Sequence, residues 1–426
     1  MMEDNRPVVD PKIIVALISG LVSIVSAMIP LLNDMERNLM TVAFAFLIAT
    51  ILMGICVFIL FRKRLYVGIA ALLLLAGSTL SAFFAQQVVQ PPESLTYLDT
   101  VVSVYAGSGK HGFDDGAFED CAFVRPASMS AYRDGVFVAD SDRIRRLEND
   151  TVTTEPFPSG RYNALLIRNL ESDLYVLAEN REMESGKYYN FFVRIRNGES
   201  EVVSAKFELG AFASTVSDFA FSKSGVLWFI RLYDVPGEAG ATLQKLSYDR
   251  DADRYGPPEW VMDFPYGSDD MRDSRMAFDA DDNLYVTVPG KGVILRQGHD
   301  EKECTLFAGT EGNRTYNDQG TFSFSYPTAL LPENGGLYVL DNGVVRRLKI
   351  EGGKAVSCET LAGVTPELIN SGKVNVRSVN VGETAAGAEF AFPADETASL
   401  ALDNRGRLLL SDPENGFVYQ IWENRA

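Results

Sequence analysis

Two distant stretches of this chain spell one unit. Tyr105 to Leu147 reads YAGSGKHGFDDGAFEDCAFVRPASMSAYRDGVFVADSDRIRRL, and Phe307 to Leu348 reads FAGTEGNRTYNDQGTFSFSYPTALLPENGGLYVLDNGVVRRL. Each carries an Ala-Gly pair, a Gly-rich loop, an acidic residue near a glycine and a phenylalanine ahead of a proline. Three short strand-like runs follow, the second ending in aspartate (Asp140, Asp341) and the third reading Arg-Arg-Leu. A unit this small cannot bury its apolar residues alone, so copies must stack on one another and share a core.

Further copies are present. A degenerate one runs from LAG at Leu361 through FAFP at Phe390 to LLLSD at Leu408, and three weaker ones keep only the strand core: ALLIRNLESDLYVLAEN, FAFSKSGVLWFIRLY and MAFDADDNLYVTVPGKGVILR. Aligning the middle runs puts Phe137, Tyr175, Trp228, Tyr285, Tyr338 and Leu409 in one register, which makes six units. Alternating residues around these positions are apolar, as in strands packed on both faces, and no helical period intervenes. Six antiparallel units of this kind predict a β-propeller.

The order Ala-Gly, Gly-rich loop with Asp-Gly, Phe and Pro, then G-x-h-x-V-x-D (h apolar) and an Arg-bearing strand resembles the NHL repeat. The likeness runs over nearly all of the chain from residue 99 and is strong in the first and fifth units. It implies six blades in a closed ring. VVSVYAG at Val101 precedes the first full unit, whereas the last unit ends at Ile421 and Trp422 with no outer strand of its own. Pairing Val101 to Ala106 with a strand near Val418 to Trp422 would fill that vacancy and remove two exposed sheet edges.

Residues 1–98 differ in character, with six acidic and six basic residues around three uncharged apolar runs, Ile13 to Leu32, Leu39 to Phe61 and Leu65 to Phe84. Each run reaches the roughly 20 residues a membrane-crossing helix needs. The basic loop Arg62-Lys63-Arg64, supported by Arg6 and Lys12, places the N-terminus inside. The expectation is therefore three transmembrane α-helices followed by an all-β six-bladed β-propeller: a cytoplasmic segment 1–12, a transmembrane region 13–86, a linker 87–98 and an NHL-like propeller 99–426. Such a chain would be an integral membrane protein, with the lipid bilayer as one partner and the propeller on the extracellular or periplasmic side.

The whole formal charge of −18 falls after residue 98. Acidic surfaces repel phosphodiester backbones, so no nucleic acid is expected as a partner. Gly107, Gly109 and Gly112 fit G-x-G-x-x-G, the spacing of a phosphate-cradling loop. No helix follows it, and the equivalent loop at Gly309 drops the second glycine while keeping the repeat, so no nucleotide is expected either. Two histidines, His111 and His299, cannot assemble a three-histidine zinc site. Cys56, Cys121, Cys304 and Cys358 are too scattered for a zinc cluster or a disulfide framework, leaving at most one bridge among the last three. The recurring Asp140, Asp341 and Asp412 read as ligands of turn N–H groups, and the pairs Arg145-Arg146 and Arg346-Arg347 as strand-edge residues with one of each pair salt-bridged.

What does not repeat points to function. AENREMESGKYYN and IRLYDVPGEAGA lengthen the connection between second and third strands in two units, on the face that carries the Gly-rich loops. That face is the candidate binding surface, with Lys110, His111, Asp114, Glu182, Tyr188, Asp234, Arg314 and Tyr316 lining it. The expected function is a membrane-anchored binding or assembly module for a peptide, glycan or membrane-protein partner, without a cofactor. The competing reading is a cation-dependent hydrolase or lyase of the lactonase-like propeller type, a calcium-like ion being held at the axis by carboxylates such as Asp218, Asp279 and Asp403.

Overall fold

The computed structural model describes residues 100–423 apart from 134, 159, 182–187, 210–214, 236–237, 364–382 and 385–397. Six antiparallel sheets succeed one another as blades. From axis to rim, blade 1 is Pro126–Tyr132, Gly135–Asp140, Arg143–Glu148 and Thr151–Glu155. Blade 2 begins Asn163–Leu170, Asp173–Arg181, Tyr188–Arg196 and is edged by Glu199–Val202 and Phe207–Leu209. Blade 3 is Thr215–Phe221, Leu227–Val235, Glu238–Leu246 and Glu259–Asp263. Blade 4 is Met276–Phe278, Leu284–Val288, Val293–Gln297 and Thr305–Gly309. Blade 5 is Pro327–Glu333, Gly336–Asp341, Val344–Glu351 and Lys354–Ala362. Blade 6 is Leu400–Leu402, Leu408–Asp412, Phe417–Glu423 and, from the other end of the chain, Thr100–Ala106.

The second strand of each blade explains the stacking. Successive side chains point to opposite faces, so a strand apolar at every position must be covered on both sides. In blade 1, Val136 and Val138 join the apolar cluster shared with blade 6, while Phe137 and Ala139 join the one shared with blade 2. Six such clusters, one between each neighbouring pair of blades, complete the ring. The six residues aligned from the sequence all occupy second strands and share one level, facing Ser130, Arg168, Ala220, Ala277, Leu331 and Ala401 of the inner strands.

The ring closes as the chain ends require. Val101 lies opposite Trp422, Val102 opposite Ile421 and Ser103 opposite Gln420, with a bulge before Ala106 meets Val418. Val102 is wholly buried in the cluster between blades 5 and 6. Each Ala-Gly pair then ends an outer strand and turns into the next blade. Gly107 has φ +114° and Gly309 φ +99°, and a Cβ on either would meet a backbone oxygen, Gly416 O at 2.5 Å or Gly292 O at 2.6 Å. Only glycine fits such a left-handed, crowded position.

The fold class needs one correction. No helix among the described residues is long and apolar enough to cross a membrane, and the helix that is seen is the three-residue turn Pro289–Lys291. The described chain is an all-β six-bladed propeller. The apolar runs at 13–32, 39–61 and 65–84, with the linker 87–98, lie outside the described residues.

Candidate ligand-binding site

In a blade whose inner strand descends from the loop face, the Gly-rich loop and the turn between second and third strands share that upper face. The recurring aspartates bind the two together. Asp140 Oδ1 accepts the backbone N–H groups of Val124 and Arg125 at 2.9 and 2.6 Å, and its Oδ2 accepts Arg145 Nη1 at 3.1 Å. Asp341 repeats this with Ser325, Tyr326 and Arg346 at 3.1, 2.7 and 3.0 Å. The expected turn role of these aspartates holds, but the arginines are not at strand edges. Arg145 and Arg346 are fully buried, and each reaches on into its loop, Arg145 to Asp115 at 2.8 Å and Arg346 to Asp318. A buried cation keeps its charge only when so surrounded by acceptors. Arg146 and Arg347 take the outer pairings, with Glu148 and Glu359.

The same clasp accounts for the G-x-G-x-x-G loop. The N–H groups of Gly107, Ser108 and Gly112 donate to the carbonyls of Phe118, Cys121 and Phe123. Those donors fold the loop on itself.

At the axis, polar side chains tie the inner strands together. Ser399 Oγ accepts Met129 N, Ser128 Oγ accepts Ile167 N, and Arg168 grips the buried Asp218 through Nη2 at 2.8 and 3.0 Å. Asp218 also accepts Phe219 N and Met276 N, each at 2.8 Å. Asp279 gathers Asp281 N and the Asn283 amide, and Asp403 gathers Arg405 N, Arg407 N and Arg407 Nε, both in turns at the opposite face. The three carboxylates are thus engaged at separate places. No three His, Cys, Asp or Glu side chains converge as metal ligands among the described residues.

Two cavities follow the axis. The inner one, about 230 Å³, is lined from all six blades and contains the ring of Ser130, Arg168, Ala220, Ala277, Leu331 and Ala401. The other, about 390 Å³, opens on the loop face between blades 1 and 4, and it shares Leu166 and Arg275 with the first. Its lining includes Arg125, Arg272, Arg275 and Asp273 together with Asn163, Ser217 and Leu232. Arg275, nine-tenths buried, is held by Nη1 contacts to the carbonyls of Ser217 and Ser274 at 3.3 and 3.2 Å.

The seven described residues among those chosen from the sequence are not among the residues lining either cavity. Lys110, His111 and Asp114 are exposed on the loop entering blade 1, where His111 Nδ1 lies 3.2 Å from the Val124 carbonyl and the Asp114 carbonyl accepts Arg145. Arg314 lies on the loop entering blade 5, donating to Ser325 O at 2.9 Å and covering the Tyr326 ring. Tyr316 is buried against Asn342. Tyr188 and Asp234 belong to strands, because the two lengthened connections are mostly extended hairpins, Asp173–Arg181 with Tyr188–Arg196 and Leu227–Val235 with Glu238–Leu246. Glu182 lies outside the described residues. Sequence reasoning missed the arginines at the axis because it searched the loops. Arg125 and Arg275 immediately precede the inner strands of blades 1 and 4, and comparing that position across the aligned units would have drawn attention to them.

Fold and axial opening together define the class of protein, a six-bladed β-propeller with a polar, cationic mouth on its loop face. Among solved structures it is similar to an auxiliary nutrient binding protein from Bacteroides thetaiotaomicron, with a TM-score of 0.54 at 17% identity over 76% of each chain. A protein of the same description from Bacteroides ovatus gives 0.54 at 17% identity, over 76% of this chain and 77% of that one. No protein-family model and no curated protein matches the sequence.

Proposed function

We propose that the chain is an NHL-like binding propeller that takes a peptide or glycan ligand at the axial opening of its loop face. The observation that carries this reading is the opening itself: about 390 Å³, lined by arginine, amide and hydroxyl side chains together with apolar ones. Concavity with a few placed polar groups over apolar lining is the usual make-up of a ligand site. The binding proteins of similar fold support a binding role, and the NHL pattern supports the family. The hydrolase reading finds less support, since Asp218, Asp279 and Asp403 already meet backbone N–H groups or arginines.

Peptide and glycan arrays probed with the purified protein test this. Asn163 is exposed at the opening and begins a strand, so Asn163→Trp fills the mouth, while Asn163→Ala removes the same contact to Glu179 and leaves the mouth open as the control. Array signals lost in Asn163→Trp support the axial site. Signals unchanged in that variant, or none in the wild type, would count against it.

A further inference from the structure

We propose that the loop-face opening is a site for a sugar acid of monosaccharide size, with Arg275 meeting its carboxylate. This deepens the binding reading above and rests on it. The formal charge of the chain is −18, yet three arginines, Arg125, Arg272 and Arg275, line the opening against one carboxylate among its lining residues. Asp273, that carboxylate, accepts the Tyr326 hydroxyl at 3.1 Å, and Arg272 is paired with Asp269 at 3.0 Å outside the lining. A local reversal of sign inside a concave, low-dielectric mouth focuses potential on it and draws in anions.

The position of Arg275 decides the rest. It lines both cavities and its guanidinium is braced by two carbonyls, so little side-chain freedom is left to lose when an anion docks. Arg168, deeper in the channel, is gripped by both oxygens of Asp218 and does not compete for the same anion. A fixed guanidinium charge attracts a carboxylate more strongly than a neutral hydroxyl does. The lining also holds the Asn163 amide and the Ser217 hydroxyl, which donates to Ser274 O at 3.0 Å and keeps its acceptor lone pairs, beside the hydrocarbon of Leu166 and Leu232. Hydroxyls and apolar ring face are the two sides a pyranose presents, and a volume of about 390 Å³ takes one such ring with its solvent. A bare anion would leave the amide and apolar wall unused.

Titration calorimetry with glucuronate, glucose and inorganic phosphate on the wild type, Arg275→Gln and Arg272→Gln tests the assignment. Glucuronate should bind roughly tenfold or more tighter than glucose or phosphate, the margin one charge-assisted pair supplies. Arg275→Gln should bring glucuronate down to the level of glucose. Arg272→Gln, at an exposed position, should weaken it in a protein whose far-ultraviolet spectrum and melting temperature match the wild type. Equal binding of glucose overturns the carboxylate, equal binding of phosphate overturns the sugar, and no binding of glucuronate overturns the site. The array result distinguishes these failures from failure of the binding reading: array signals sensitive to Asn163→Trp would still stand without any preference for glucuronate.

Discussion

Arg346 and Arg347 are neighbours in sequence and opposites in surroundings. Arg346 is buried with Asp318, Asp341 and the carbonyls of Ser323 and Asn317, while Arg347 pairs with Glu359 at the rim of its blade, 3.1 Å away and partly in water. Removing one partner of a buried pair strands the other charge, so Arg346→Met should cost about 3–5 kcal/mol. Arg347→Met should cost no more than about 1 kcal/mol, as for exposed pairs. Urea titrations of the two variants settle this, and similar losses in both would contradict it. Burial outweighs the compensating contacts of other groups. The Cys304 thiol is pushed up to about 12 by burial, with Glu301 adding to it, and Cys121 and Cys358 are raised by burial. All three are free, so in a Cys56→Ser protein they should resist Ellman's reagent at pH 8 until denatured. Prompt reaction of the native protein would contradict their placement. Glu179, facing Asn163 across the strand pair, is held above the ordinary carboxylate range by burial, against the lowering effect of the Asn163 hydrogen bond. A raised folded-state pKa contributes stability in full below the unfolded value of about 4.3, and that contribution is lost as pH rises through the folded value. Glu179→Gln should therefore melt higher than wild type at pH 7 and no higher near pH 4; no gain at pH 7 would show that burial does not raise the Glu179 pKa.

Among the elements, the strand Thr100–Ala106 closes the ring by pairing with the third strand of blade 6. Without it the third strand of blade 6 presents an open edge, and the cluster containing Val102, Tyr338, Leu361 and Ile421 loses a wall. Val102→Asp buries an unpaired carboxylate there and should cost several kcal/mol, and a protein beginning at residue 107 should aggregate rather than remain monodisperse in size-exclusion chromatography. A monodisperse, cooperatively melting protein lacking this strand would show that closure is dispensable. This pairing was legible in the sequence because aligning the repeat leaves a surplus strand before Gly107, ahead of the first full unit. The register was legible for the same reason: Tyr338 and Phe137 stand at one place in two units of the same pattern. The hairpin at Leu227–Val235 was not, since DVPGEAG looks like loop filler and only cross-strand partners such as Asp234 with Ala239 make it strand. Nor was the burial of Arg145, because propensity and pattern put Arg-Arg at an edge, and the loop acids that surround it are some 30 residues away.

For the whole molecule, six blades make six inner strands converge, and residues remote in sequence meet there. Arg125, Asn163, Ser217 and Arg275 belong to four different blades or their approaches and line one opening. No local motif announces such a site, which is why the candidates read from loops are not among its lining residues. The chain of contacts from Ser128 through Arg168 and Asp218 to Met276 N spans blades 1 to 4 and fixes the geometry of that side of the axis. Asp218→Asn should therefore weaken both stability and ligand binding, although Asp218 is not among the residues lining either cavity. Loss of stability with binding fully retained would show that the clamp and the site are independent. The most direct test of the axial site is a crystal structure of the protein soaked in glucuronate. Density between Arg275, Asn163 and Ser217 on the loop face is the expected result. Density only at the opposite face, in the cavity lined by Arg347, Arg405 and Trp422, would contradict the account.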